Sequence, residues 1–85
     1  MSETIRTIFY PVEGPPVQMF ITPGTYDHHF DGCRSTTYTR KNYRIVYGID
    51  SQRPVNPWIK RLYQSEIRGN AFIVRLNEEG EEVSL

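Results

Sequence analysis

The sequence predicts a small α+β domain, in which a mostly antiparallel sheet of four or five strands carries one short helix on a face. Three observations predict it: β-branched and aromatic residues cluster in short runs, Pro and Gly bound those runs, and apolar residues at helical spacing occur only once. A chain of 85 residues buries only about 60–65% of its unfolded surface. Its aromatic side chains therefore matter for the core, and residues 1–85 are interpreted as a single domain.

Four runs of β-branched and aromatic residues predict strands. In the second run Val17, Met19 and Ile21 share one face, since side chains alternate along a strand. Proline stops the first run at Pro11, and Pro23 follows the second. The order of these strands within a sheet does not follow from the pattern. The predicted strands span residues 4–10, 17–21, 43–49 and 70–76.

One helix is predicted over residues 56–67. Asn56 is a suitable N-cap, and the proline after it fits the first helical position, where no amide hydrogen is missed. Apolar residues then recur at helical spacing from Trp58 to Tyr63. Gly69 can end the segment with a positive φ.

The two remaining segments are a predicted hairpin and a stretch without a clear period. A turn over Asn77–Glu79, with Gly80 in the left-handed conformation, predicts a hairpin that returns through residues 83–85. Residues 22–42 are interpreted as a long loop or an edge hairpin, because the run over residues 35–39 has strand propensity.

Charge is segregated along the chain, although the net charge is zero. Residues 1–33 carry a net charge of −3, residues 34–75 carry +7, and residues 76–85 carry −4. A basic middle between two acidic ends predicts a partner with anionic groups. We expect a protein or a nucleic acid, and no membrane, as that partner.

The cysteine count and the hydropathy indicate a compartment. One cysteine excludes an internal disulfide, which suits a reducing environment. No stretch approaches the roughly 20 apolar residues that span a bilayer, and the first residues lack the pattern of a secretory signal. We expect a cytoplasmic location, or the cytoplasm of a host cell.

Residues 25–33 hold both histidines, the only cysteine and two aspartates. In an extended chain, four of them would point to one side: Asp27, His29, Asp31 and Cys33. Such neighbours lie about 6.5–7 Å apart and cannot converge on one ion at metal–ligand distance. A metal site and a Cys33 nucleophile with His28 or His29 as base are the alternatives to a solvated loop anchored by Phe30. We interpret the segment as a loop, and predict no metal, no cofactor and no catalytic residue.

The basic middle supplies the candidate binding residues. Cations neutralise phosphates or carboxylates, hydroxyls donate to the same groups, and exposed aromatics add contact area. Lys60, Arg61, Arg68 and Arg75 could extend the patch if the outer helix face and the fourth strand lie nearby. A solvated sheet edge, kept charged against edge-to-edge pairing, is the structural alternative. The predicted binding residues are Arg34, Tyr38, Arg40, Lys41, Arg44, Trp58, Lys60, Arg61 and Tyr63.

Two functions use this surface. The first is a non-enzymatic interaction domain that binds an acidic protein partner, since Arg, Tyr and Trp are enriched at interface hot spots. The second is binding of single-stranded DNA or RNA, through phosphate neutralisation and stacking of bases on aromatic rings. Trp58 is as well suited to the core as to either interface.

Residues 54–85 carry a resemblance to a known family. The runs "VNPWIKRLY" and "IRGNAFIVRLNEEGEEVSL" are similar to a small uncharacterised domain family of phages and mobile elements. Its pattern is a short helix that contains Asn, an I-x-G step, an apolar strand, an acidic turn that ends in Gly, and a final Ser-Leu. The resemblance implies a phage-like or viral origin, so a modulator or inhibitor of a host protein is one expected role.

Overall fold

The computed structural model describes residues 3–30 and 34–85, and it shows the predicted α+β architecture with one helix on a face of an antiparallel sheet. The strands are β1 Ile5–Tyr10, β2 Val17–Ile21, β3 Ser35–Thr39, β4 Tyr43–Gly48, β5 Ala71–Leu76 and β6 Glu82–Val83. The helices are α1 Pro57–Tyr63 and a 3-10 helix over Tyr26–His29.

The sheet has the strand order β2-β1-β5-β4-β3, and every neighbouring pair is antiparallel. The short strand β6 pairs with the C-terminal end of β5, through Arg75 and Leu76. The last residue joins the neighbouring strand as well, because the Leu85 amide donates to the Arg6 carbonyl at 3.1 Å. Strands β2 and β3 are therefore the two outer edges of the sheet.

Both faces of the sheet are covered, which explains the nearly continuous burial of its middle strand. On one face Phe72 and Val74 of β5 belong to a cluster with Val46. On the other face Ala71 and Ile73 belong to a second cluster. A strand buried on both faces is expected to be a continuous apolar run, as β5 is at residues 71–74.

Different segments cover the two faces. Helix α1 covers the face that we call the helix side, where Ile59 is fully buried against the second cluster. The 3-10 helix and Phe30 cover the opposite face. There the ring of Phe72 contacts Tyr26 at 5.7 Å and Phe30 at 5.9 Å between centroids. Phe30 is thus the predicted anchor of its segment, and it lies 6% exposed.

The helix begins where the sequence predicts and ends four residues early. The Asn56 side-chain oxygen accepts hydrogen bonds from the amides of Trp58 and Ile59, as an N-cap does. The helix stops at Tyr63 because Gln64 adopts the left-handed conformation, with φ 55° and ψ 36°. Residues 65–67 are outside the helix. Gly69 does have a positive φ, but it is not the residue at which the helix ends.

The segment that lacked a clear period, residues 22–42, contains two distinct parts. Its first part is the cover on the sheet face opposite α1. Its second part is the edge strand β3, which pairs with β4 from Ser35–Gly48 to Thr39–Arg44. Residues 35–39, which have strand propensity, thus form an edge strand in a β3–β4 hairpin.

Candidate binding surface

Three strands bring aromatic and basic side chains together on the helix side of the sheet. Tyr38 of β3 is opposite Ile45 of β4, and Tyr43 of β4 is opposite Arg75 of β5. Residues directly opposite each other share a face, and Ile45 is in the helix-side cluster. Tyr38, Tyr43 and Arg75 therefore project to the helix side, near the turn between β3 and β4.

Helix α1 adds a third tyrosine to this row. The Tyr63 ring lies 5.1 Å from the ring of Tyr43 and 6.1 Å from that of Tyr10. The hydroxyl oxygens of Tyr10 and Tyr63 are 3.4 Å apart. Burial is the main reason that the pKa of Tyr63 is raised above its ordinary value, and the hydrogen bond to Tyr10 is the second reason. Tyr63 is therefore a neutral, half-buried support rather than a proton donor at neutral pH.

The β3–β4 turn places a cation on the exposed end of the row. The guanidinium carbon of Arg40 lies 4.9 Å from the centre of the Tyr38 ring, within the range of a cation–π contact. Tyr38 is 40% exposed, and Arg40 and Lys41 are exposed as well. We call the set of five residues the tyrosine surface: Tyr38, Arg40, Tyr43, Tyr63 and Arg75.

Arg44 lies on the opposite face and is ion-paired. Its Nη1 is 2.7 Å from Oε2 of Glu82, and its Nε donates to Oγ1 of Thr39 at 3.1 Å. The second carboxylate oxygen of Glu82 accepts from the Tyr26 hydroxyl at 2.7 Å. Arg44 thus joins the C-terminal hairpin to the cover of the opposite face, and the structure does not bring it to the tyrosine surface.

Arg34 and Trp58 lie apart from the tyrosine surface. Arg34 precedes β3, so six residues of extended chain, about 20 Å, separate it from Arg40. Trp58 is half-buried, and its indole nitrogen donates to the carbonyl of Gly14 at 3.1 Å. Its ring lies 6.4 Å from that of Tyr10. Trp58 thus fixes the β1–β2 loop to α1, which agrees with the core role considered for it.

Lys60 and Arg61 are exposed on the outer side of α1. Arg61 borders a groove whose other walls are Val12, Gly14, Pro57 and Trp58. Tyr63, at the end of the same helix, links the helix cations to the tyrosine surface. The predicted binding residues therefore form a group at the β3–β4 turn and a group on the helix, with Arg34 and Arg44 elsewhere.

An acidic turn lies beside the basic one. The amide of Leu76 donates to the carbonyl of Asn42 at 2.9 Å, which joins the end of β5 to the β3–β4 turn. The next turn carries Glu78 and Glu79, both exposed. Among the residues that the structure describes, neither glutamate forms an ion pair with Arg40 or Lys41. Charges of both signs are thus exposed at the same end of the sheet.

The segment that is rich in histidine and aspartate has structural contacts. Oδ1 of Asp27 accepts the amide of Ser35 at 2.8 Å, and hydrogen bonds with Ser35 lower the pKa of this carboxyl. The ring of His29 meets that of Phe72 edge-on at 5.1 Å. Asp31 and Cys33, which the metal and nucleophile alternatives require, lie outside the described residues.

A polar cleft opens at the other end of the sheet, between His29, Asp50, Arg68 and Asn70. Its polar groups form hydrogen bonds within and between the surrounding loops. Asp50 accepts the Gln52 amide at 3.0 Å and pairs with Arg53 at 3.1 Å, and both contacts lower the pKa of Asp50. Arg68 donates to the carbonyl of Arg53 at 3.1 Å. These contacts hold the loops together at the strand ends.

Of the tyrosine surface, Tyr43 is not predicted from the sequence, and Arg75 is predicted only as an extension of the basic patch. Tyr43 alternates with Ile45 and Tyr47, a pattern that predicts a core face as readily as a binding face. Arg75 is the single charged residue of an otherwise apolar strand. Only the register of β4 against β5 shows that the two residues are neighbours.

No known protein family matches the chain, and no curated protein or solved structure matches it either. The resemblance of residues 54–85 to a phage domain family thus stays a prediction. Within residues 3–30 and 34–85, no helix has the length and apolar character that crossing a membrane requires.

Proposed function

We propose that the protein is a small, non-enzymatic interaction domain that binds an acidic patch of a protein partner through the tyrosine surface. The observation that carries the proposal is the row of rings from Tyr38 to Tyr43 and Tyr63, with Arg40 and Arg75 beside it. Tyrosine and arginine are residue types that dominate the energetics of interfaces. Three strands and a helix hold them, so little conformational entropy is lost on binding.

The titratable groups support a role in binding rather than in chemistry. Among the described residues, the four groups with clearly shifted pKa values are Tyr26, Asp27, Asp50 and Tyr63. Each is hydrogen-bonded to another residue of the fold. A general acid or base instead needs a polarised group that can reach a substrate.

The mixed charge around the tyrosine surface favours a protein over a nucleic acid. A phosphate backbone that contacted Arg40 and Lys41 would also approach Glu78 and Glu79 in the adjoining turn. With a net charge of zero, the protein has no long-range attraction for a polyanion. A protein surface can place a carboxylate at the cations and a cation at the glutamates.

The partner is expected in the cytoplasm, the compartment that the single cysteine favours. The resemblance of residues 54–85 to a phage domain family makes a host protein the expected target. Binding would then modulate or inhibit that protein.

Affinity capture with tagged protein from the native cell or an infected host tests the proposal. We expect a partner whose retention falls at least about tenfold in a Tyr38→Ala/Arg40→Ala variant, because hot-spot truncations cost more than about 1 kcal/mol each. An Arg34→Ala variant, altered just before the far end of β3, is the control and should retain the partner. Equal retention by all three proteins would refute the assignment of the surface.

A further inference from the structure

The two edges of the sheet differ in charge. An edge strand exposes unpaired amide and carbonyl groups, and proteins usually protect such edges with charged residues, proline or bulges. The edge strand β3 is flanked by Arg34 and by Arg40–Lys41. The edge strand β2 lies instead within residues 14–26, which contain no Asp, Glu, Lys, Arg or His. The β2 edge is thus without charged protection, and its prolines, Pro16 and Pro23, flank the strand and leave the edge within residues 17–21 open.

The β2 edge also exposes apolar side chains. Phe20 is 64% exposed and Val17 is 47% exposed. The strand alternates, so these two residues point to opposite faces, while Met19 and Ile21 pack against the core. Phe20 is opposite Arg6 on the helix side of the sheet, beyond the part that α1 covers. An exposed apolar ring beside an open strand edge is a feature that interaction sites use, since the edge offers backbone hydrogen bonds and the ring offers contact area.

We propose that β2 pairs in the antiparallel direction with β2 of a second copy of this chain, so that the two sheets become continuous. A two-fold axis perpendicular to the sheet generates this pairing, and it keeps the helix sides of both copies on the same face. We place the axis at Phe20, so that the two Phe20 rings lie on that face about one strand spacing apart and cover each other's apolar surface.

The absence of charge along β2 favours a second copy of the chain as the partner of this strand. Two neutral strands meet without like-charge repulsion, and the copies as wholes carry no net charge. Pairing of β2 with β3 of another copy would leave a free edge at each end and would propagate into filaments. The pairing of β2 with itself closes at two copies and leaves the charged β3 edges outermost. It also leaves the tyrosine surface open, at the other side of the sheet.

The expected dimer is weak, because one added strand pair and two rings form an interface near the small end of the specific range. Sedimentation velocity over a concentration series should show the mass rising from 10.0 kDa towards twice that value. Phe20→Lys should remove this rise, since it places two ammonium groups near the axis. Thr37→Lys, an equivalent exposed change on the β3 edge, should preserve it.

Two further measurements separate loss of pairing from loss of fold. Circular dichroism should show that Phe20→Lys is folded, and Gln18→Lys, at another exposed β2 position, should also abolish the rise in mass. In the unmodified protein, amide exchange in β2 should slow as concentration increases, while exchange in β3 should not change. A protein that stays monomeric throughout the series, or a dimer that persists in both lysine variants, would overturn the proposal.

Discussion

At the scale of single residues, Asn56 joins three parts of the fold. Its side-chain oxygen caps α1, and its side-chain nitrogen donates to the carbonyls of Tyr10 at 2.8 Å and Gly69 at 2.9 Å. The residue is fully buried, so water cannot replace any of these bonds. The sequence predicts the cap. The two donated bonds depend on where the end of β1 and the segment before β5 lie in the fold, so they could not be predicted.

Substituting Asn56→Ala should lower the free energy of unfolding by about 3 kcal/mol, from the lost cap and from two buried carbonyls left without donors. Urea unfolding at neutral pH measures the loss. Asn77→Ala is a suitable control, because Asn77 also accepts two backbone amides, those of Glu79 and Glu81, but in an exposed turn. It should cost less than about 1 kcal/mol. Similar costs for the two variants would contradict this account of Asn56.

A second residue-scale feature is the bond from Tyr26 to Glu82. Burial raises the pKa of Tyr26 well above its ordinary value, and this hydrogen bond raises it further. The unfolded chain releases the phenolic proton near pH 10, whereas the folded protein retains it. The stabilisation is therefore complete below about pH 10 and declines as the pH rises beyond that value.

Tyr26→Phe should therefore behave differently at neutral and alkaline pH. Near pH 7 it should be less stable than the unmodified protein by about 1–2 kcal/mol, because the bond to a carboxylate is lost. Above pH 10 this difference should shrink by up to about 1.4 kcal/mol for each pH unit. Chemical unfolding at pH 7, 9 and 11 checks the prediction. A difference that stays constant across this range would show that the hydroxyl does not resist ionisation.

At the scale of elements, the end of α1 is the feature for which the prediction from the sequence was wrong. Residues 64–67 do not break the helical pattern, and Gly69 offered a plausible end. The actual end is Gln64, the only non-glycine residue with a positive φ among those described. Glycine is the usual residue at such a position, since a side chain in the left-handed region costs roughly 1 kcal/mol or more.

Gln64→Gly should therefore stabilise the protein, by about 0.5–1 kcal/mol after the entropy of the unfolded glycine is subtracted. Thermal unfolding measures the gain. Gln64→Val is the opposing variant and should destabilise, because a β-branched residue tolerates a positive φ least. If glycine failed to stabilise and valine were harmless, the helix would not end at this residue.

The strands were easier to predict than their arrangement. The four predicted strands differ from the observed β1, β2, β4 and β5 by at most one residue at either end, because their patterns are local. The strand order and the register are set by contacts between distant segments, such as Tyr43 with Arg75. The ion pair of Arg44 with Glu82 also depends on that register, so a basic run in the sequence did not become one basic surface.

At the scale of the whole molecule, the fold brings opposite charges together at one end of the sheet. The sequence separates the basic middle from the acidic C-terminal residues. The hydrogen bond from Leu76 to Asn42 sets their turns side by side. An approaching polyanion therefore meets exposed charges of both signs at this end of the sheet.

This arrangement predicts that the position of the glutamates, and not only their number, controls binding of nucleic acid. The unmodified protein should not bind single-stranded oligothymidine measurably at physiological salt. A Glu78→Gln/Glu79→Gln variant should bind it at low salt, with the logarithm of affinity falling linearly as the logarithm of salt rises. Fluorescence anisotropy measures both.

The matched control is Glu13→Gln/Glu66→Gln, which changes the net charge equally at exposed positions away from the β3–β4 turn. It should bind far more weakly than the variant in the acidic turn, because its glutamines leave Glu78 and Glu79 beside Arg40 and Lys41. Equal affinities for the two variants would mean that net charge alone governs the approach of a polyanion. Strong binding by the unmodified protein would instead show that the acidic turn does not shield the cations, and nucleic acid would then replace an acidic protein as the preferred partner of the tyrosine surface.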